Sequence, residues 1–167
     1  MADTVTTQLA NAIQGTLEAH LGEYLDGRKE VQNYWFDPEF EKYKGADYPV
    51  VAIYETGDTV MWETCRGRAL DGTLQPGAIC SEYGFDLQVY VKCAAHDEAK
   101  ALCDGYRDCI KSCLVDNDTL GGLAAEVAVK AGEPSLPFTE GSYALRAGVV
   151  RVTVTAWQMQ GATTLIA

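Results

Sequence analysis

Six cysteines and two histidines are the side chains of this 167-residue sequence with the widest chemical range. The cysteines are Cys65, Cys80, Cys93, Cys103, Cys109 and Cys113, and the histidines are His20 and His96. Thiolate sulfur and imidazole nitrogen are zinc ligands, and Cys93-x-x-His96 followed by Cys109-x-x-x-Cys113 has the outline of a zinc pattern. Ligands of one zinc must converge within a few ångströms. His96 falls at the start of a predicted helix and Cys109 far along it. At 1.5 Å per residue the two stand roughly 20 Å apart. That outline therefore does not describe one metal site.

Thiol catalysis needs a partly exposed cysteine in an electropositive setting with a base beside it. Cys103, Cys109 and Cys113 fall instead on the apolar face of the predicted second helix, where free cysteine acts as a small hydrophobe. His20 borders the apolar stripe of the first helix, and His96 sits at or near the second helix's N-cap. No G-x-S-x-G elbow occurs. Gly121-Gly122 is a lone pair outside any phosphate-loop context. Asp116, Asp118 and Glu126 suggest a cation, but their spacing leaves the EF-hand pattern by its third ligand, as a solvated turn would. The expectation is a non-enzyme with no catalytic residue, no cofactor and no metal.

The elements that carry these residues can be read from periodicity. Val5, Leu9, Ile13, Leu17, Leu21 and Leu25 step by four, which predicts an N-terminal helix capped by Asp3 and closed near Gly27. Residues 28–49 form an irregular aromatic connector with Tyr34, Trp35, Phe36, Phe40, Tyr43 and Tyr48. Its rings either plug into the core or form a contact surface for a partner chain. Val50–Tyr54 and Val60–Cys65, with Gly57-Asp58 between them, read as a β-hairpin. Residues 66–76 read as an exposed loop or extended arm.

Tyr83 to Cys93 alternates strictly, as a half-buried strand does. Ala99, Leu102, Cys103, Tyr106, Cys109, Ile110, Cys113 and Leu114 lie on one face of the second helix, which stops at Asn117. Strands are predicted at 124–130 and 149–157, and a surface loop at Glu133–Gly141, which carries Pro134 and Pro137. The fold class expected is α+β. A sheet of about five strands, mostly antiparallel or mixed, carries two main helices on one face. One domain spans 1–167.

Thirteen basic residues stand against 24 acidic ones, a formal net charge of −11. Such a chain is poorly suited to gripping nucleic acid or anionic membranes. The start, Met1-Ala-Asp-Thr-Val-Thr-Thr-Gln, has no signal-peptide pattern, and no apolar run reaches the ~20 residues of a membrane span. A reducing cytosol with free thiols is expected.

Tyr83-Gly-Phe-Asp-Leu-Gln-Val-Tyr-Val-Lys, Asp97-Glu-Ala-Lys, Cys109-Ile-Lys-Ser-Cys-Leu, Leu120-Gly-Gly-Leu and Ala147-Gly-Val-Val-Arg-Val-Thr-Val-Thr-Ala-Trp follow one another in an order that resembles the tail-terminator (tail-completion) proteins of long-tailed bacteriophages. The likeness covers about residues 83–157. It implies a structural virion protein in the tail or neck, assembled in the host cytoplasm. It further implies a homo-oligomeric, usually hexameric ring on the last ring of the tail tube. The ring's partners would be the tail tube protein and the head–tail connector, and DNA would pass through without specific binding.

Acidic side chains lining such a bore would repel phosphates, and Asp71, Asp116, Asp118, Glu126 and Glu133 are the candidates. Candidate ring or partner contacts are Arg66, Arg68, Leu70 and Leu74 in the arm, with Leu136 and Phe138 in the 133–141 loop. Three other readings stay open: another neck or tail-tube subunit, a small thiol-dependent enzyme or ligand-binding domain, and an acidic decoy for basic proteins.

Overall fold

A computed structural model describes residues 3–35, 48–63, 77–130, 132–140, 142–159 and 165–166. The chain is α+β. In order come α1 (Val5–His20), a 3₁₀ turn (Leu21–Tyr24), β1 (Asn33–Trp35), β2 (Val50–Glu63), β3 (Ala78–Cys93) and α2 (His96–Asp116). A second 3₁₀ turn (Leu120–Gly122) leads to β4 (Glu126–Lys130), β5 (Leu136–Glu140), β6 (Tyr143–Met159) and β7 (Leu165–Ile166).

The predicted stripe of α1 is buried at every position named, Val5, Leu9, Ile13, Leu17, Leu21 and Leu25. Its N-cap is Thr4, not Asp3. The Thr4 hydroxyl accepts the Thr7 backbone N–H at 3.1 Å, satisfying one orphan donor of the first turn. The α-helix also ends earlier than predicted. After His20 the backbone tightens into the 3₁₀ turn, which keeps Leu21 and Leu25 on the core side, and Gly27 follows in the left-handed region at φ 78°.

α2 runs unbroken from His96 to Asp116, the premise of the 20 Å argument above. Ala95 is its N-cap and His96 its first residue; Asn117 ends it, as predicted. Asp97 and Glu98 in the first turn suit the positive end of the helix dipole.

Among the described residues the sheet has seven strands, not five. Its order is β1-β2-β3-β6-β4, with β5 and β7 also pairing with β6. β1 is parallel to β2 and every other pair is antiparallel, so the sheet is mixed. β3 and β6 form its spine, in register from Ala78↔Met159 to Cys93↔Ala144.

Three corrections concern the sheet. Residues 50–54 and 60–63 of the predicted hairpin form one strand, Val50–Glu63, and Thr64 and Cys65 lie outside the described residues. Thr56 and Met61 sit at register irregularities in that strand, and Gly57 supplies a φ of 128° that other residues rarely adopt. The 133–141 loop contains β5, whose Pro137 sits in an edge strand, where a missing N–H is tolerated. β3 and β6 run further than their alternating cores suggested.

Both helices cover one face of the sheet. Tyr83, Phe85, Leu87, Val89 and Val91 of β3 join Val150, Val152 and Val154 of β6 and the helix stripes in one core. A smaller cluster, Tyr48, Val50, Ala52 and Tyr90 with Tyr54, Leu145 and Ala147 packed against it, gathers about the opposite face. Of the aromatic connector, Tyr34 packs on the main core and Tyr48 is buried in the smaller cluster. Phe36, Phe40 and Tyr43 lie outside the described residues, as does the whole 66–76 arm.

Candidate functional site

Strand alternation decides which side chains the helices leave uncovered. On β3 these are Glu82, Asp86, Gln88, Tyr90 and Lys92, and on β6 Tyr143, Leu145, Ala147, Arg151, Thr153 and Thr155. β4 adds Glu126 and Lys130, and the β4–β5 connection adds Glu133. One half of this face is charged. The Arg151 guanidinium donates to Asp86 Oδ1 at 3.2 Å and to Glu133 Oε1 at 2.9 Å. Lys130 Nζ reaches Glu82 Oε1 at 3.4 Å. Asp86, then Glu133, push the Arg151 pKa up by favouring its charged form. Glu82, Asp86, Lys130 and Arg151 edge a shallow hollow of about 500 Å³ that also takes in Thr56, Asp58 and Thr59.

The other half of the face is apolar and aromatic. Lys92 lies with its ammonium 4.8 Å from the Tyr143 ring centre and 5.7 Å from that of Tyr48, within cation–π range. The Tyr90 hydroxyl bonds to the Gln88 side chain.

A polar clamp fixes the segment that joins β4 to β5. Asp104 of α2 receives Lys100 at 2.6 Å, Arg107 at 3.4 Å and the buried Ser135 hydroxyl at 3.3 Å. Arg146 of β6 donates to the Ser135 hydroxyl and carbonyl, both at 2.9 Å. The Lys100 hydrogen bond, above all, holds the Asp104 carboxyl below its ordinary range. Periodicity carries no signal for this clamp, because it joins a helix to a short edge segment.

The candidate acids divide between two layers. Asp116 accepts the Tyr24 hydroxyl at 2.8 Å, and that bond pushes the Tyr24 phenol up to about 12. Asp116 and Asp118 border a hollow of about 470 Å³ between the helices' ends, together with His20 and Leu123. Glu126 and Glu133 stand on the uncovered sheet side. Glu133 is tied to Arg151, a partner that sequence reading did not assign. Of the candidate contacts, Leu136 is exposed on β5, and Phe138 holds the register position opposite Leu145. Asp71, Arg66, Arg68, Leu70 and Leu74 lie outside the described residues.

The five described thiols are placed for packing. Cys80, Cys103, Cys109 and Cys113 are buried and Cys93 is half-buried. Cys103 faces the Val89 carbonyl at 3.7 Å, and Cys109 faces that of Tyr24 at 3.0 Å. Burial pushes the Cys103 thiol up to about 12 and that of Cys113 to about 11. His20 is half-buried and turned toward Glu23 at 3.7 Å. Among the described residues no group of three or more His, Cys, Asp or Glu side chains is placed to hold a metal ion.

A direct measurement follows. At pH 8 a thiol of pKa about 12 is thiolate in only about one molecule in 10⁴. Iodoacetamide should therefore leave Cys103 and Cys113 unmodified in the native protein over hours, and modify both within minutes in guanidinium. Peptide mass spectrometry reads each site. Rapid native labelling of Cys103 would contradict the burial described.

No protein-family model matches the chain, and no curated protein matches it. Among solved structures, it overlaps the sheath/tube terminator, in the extended state, of PVC, an extracellular contractile injection system. Identity is 15% and the TM-score 0.47, over 93% of this chain and 60% of that one. It also overlaps a chain from the virion of a native gene transfer agent particle, at 12% identity and a TM-score of 0.38, over 86% of this chain and 98% of that one. This chain thus spans 60% of the terminator's length.

Proposed function

We propose that the chain is a structural protein of a tailed particle. It forms a ring, as a hexamer, that caps the tail tube and joins it to the head connector. The observation that carries this reading is the division of the sheet. Helices cover one face, while the other carries a charged half, where Arg151 pairs with Asp86 and Glu133 and Lys130 with Glu82, and an aromatic half. Such a face is built to fit a surface rather than to transform a bound molecule. The order of elements that resembles tail terminators supports the same reading.

The charge of −11 has a role in this scheme. DNA crossing the ring would meet carboxylates, which repel phosphate and leave no sticking point in the bore. Asp71, Asp116, Asp118, Glu126 and Glu133 are the acids proposed to supply that lining. The 66–76 arm, with Arg66, Arg68, Leu70 and Leu74, and the β5 residues Leu136 and Phe138 are the proposed contacts with neighbours.

Electron microscopy of the purified protein, alone and with tail tubes, tests the proposal. Discrete rings one subunit thick are expected, with one ring at a tube end. Long self-stacked polymers would instead identify a tube subunit, and a monomer that ignores tubes would remove the ring altogether.

A further inference from the structure

Four exposed apolar side chains mark two corners of the sheet. Val60 (51% exposed) and Met61 (42%) stand at one end of β2. Leu136 (60%) and Tyr143 (52%) stand where β5 and β6 pair. Single exposed hydrophobics need no explanation, but pairs at two defined places do. β1 pairs only with residues 50–52 of β2, so at 60 and 61 β2 is the outermost of the described strands. β5 is outermost on the other side of the spine. Val60 is in register with Ser81, and Ser81 with Ala156 of β6, thirteen residues from Tyr143. At about 3.3 Å per residue the corners lie roughly 40 Å apart along the strands. No subunit can join its own two corners.

Charge separates them further. Exposed Asp58 lies two residues before Val60 on β2. At the other corner Lys92 lies over the Tyr143 ring, on the face the helices leave uncovered. Pairing either corner with its own copy would set like charges together. Pairing one with the other brings Asp58 toward Lys92 and apolar surface to apolar surface.

We propose that the β2 corner of one copy, with Val60 and Met61, seats on the β5–β6 corner of the next, with Leu136, Tyr143 and Lys92. The contact is heterologous, the kind that builds a ring where its rotation closes rather than an isologous dimer. This rests on the ring reading above and names the surfaces that would make it.

The test uses two full-length variants, V60D/M61D and L136D/Y143S, with mass measured by light scattering during gel filtration. All four positions are exposed, and circular dichroism with urea unfolding confirms that each variant folds. Each alone should run as an 18.1 kDa monomer at concentrations where the wild-type chain is a ring, an apparent affinity loss of at least about 30-fold. Mixed in equal amounts, they should form a dimer that grows no further, because one intact corner of each kind remains. Persistent rings of either variant, or no dimer on mixing, would overturn this contact while the ring stands. Dimers of one variant alone would show a corner pairing with itself and overturn it equally. A wild-type chain that stays monomeric would remove both the contact and the ring.

Discussion

Replacing Phe85 by alanine should destabilise the subunit by about 3–5 kcal/mol, the usual range for deleting a buried aromatic ring. Phe85 is 1% exposed and occupies the centre of β3, paired in register with Glu55 on one side and Val152 on the other. It belongs to the core that also holds Leu9, Ile13 and Val152, where α1 meets the sheet. That core draws on α1, β3 and β6, so the void left by alanine is not expected to close by moving one of them.

Urea unfolding should show the midpoint falling sharply while the slope stays the same, since the surface exposed on unfolding hardly changes. A melting temperature lower by about 10 °C or more is expected for a chain of this size. Phe85→Leu, which keeps most of the volume, should lose less than about 1.5 kcal/mol. Equal losses for the two variants would mean that Phe85 is not filling the space described.

Phe85 also shows what the sequence makes legible. Its place follows from the alternation Tyr83, Phe85, Leu87, Val89, Val91, because a half-buried strand repeats every second residue. The stripes of α1 and α2 are equally plain, since each buries one face continuously. Short edges carry too few residues for a period to appear. β1 has three residues and β7 two, and β5 is masked by Pro137, a residue that reads as loop until its edge position is known. Gly57-Asp58 reads as a turn because glycine permits both a turn and a bulge, and pairing with β3 selects the bulge.

The surface follows the same division. Asp86, Gln88, Arg151 and Thr153 share a face by alternation alone, so the side of the sheet on which they lie is readable. That Arg151 also holds Glu133, or that Lys92 lies over Tyr143, depends on the register of β6 against its neighbours, which no local pattern encodes. Val60 and Met61 are hidden within a predicted hairpin that does not form. Their exposure emerges only when β2 is seen as one strand with an irregular register at Met61.

Gly132→Ala should be nearly as damaging as loss of the Phe85 ring, through excess contact instead of a void. A Cβ at residue 132 would lie 2.0 Å from the Val149 carbonyl oxygen and 3.0 Å from Arg107 Nη2. The first atom is backbone in the sheet's spine and cannot turn aside as a side chain can. Arg107 is held as well, by its 3.2 Å hydrogen bond to that same carbonyl. Relief must come from shifting residues 132–135 outward, which strains the Ser135 bonds to Asp104 and Arg146 and loosens β5 from β6. A loss of about 3 kcal/mol is expected, at the upper end for overpacking.

The damage should also be local. Hydrogen exchange would show faster amides in β5 and the adjoining half of β6, with α1 and β2 near wild-type rates until global unfolding. The same corner carries Leu136 and Tyr143, so the variant should assemble poorly even where it is folded. Alanine tolerated at 132 with unchanged exchange in β5 would show that the segment does not pass against Val149 as closely as described.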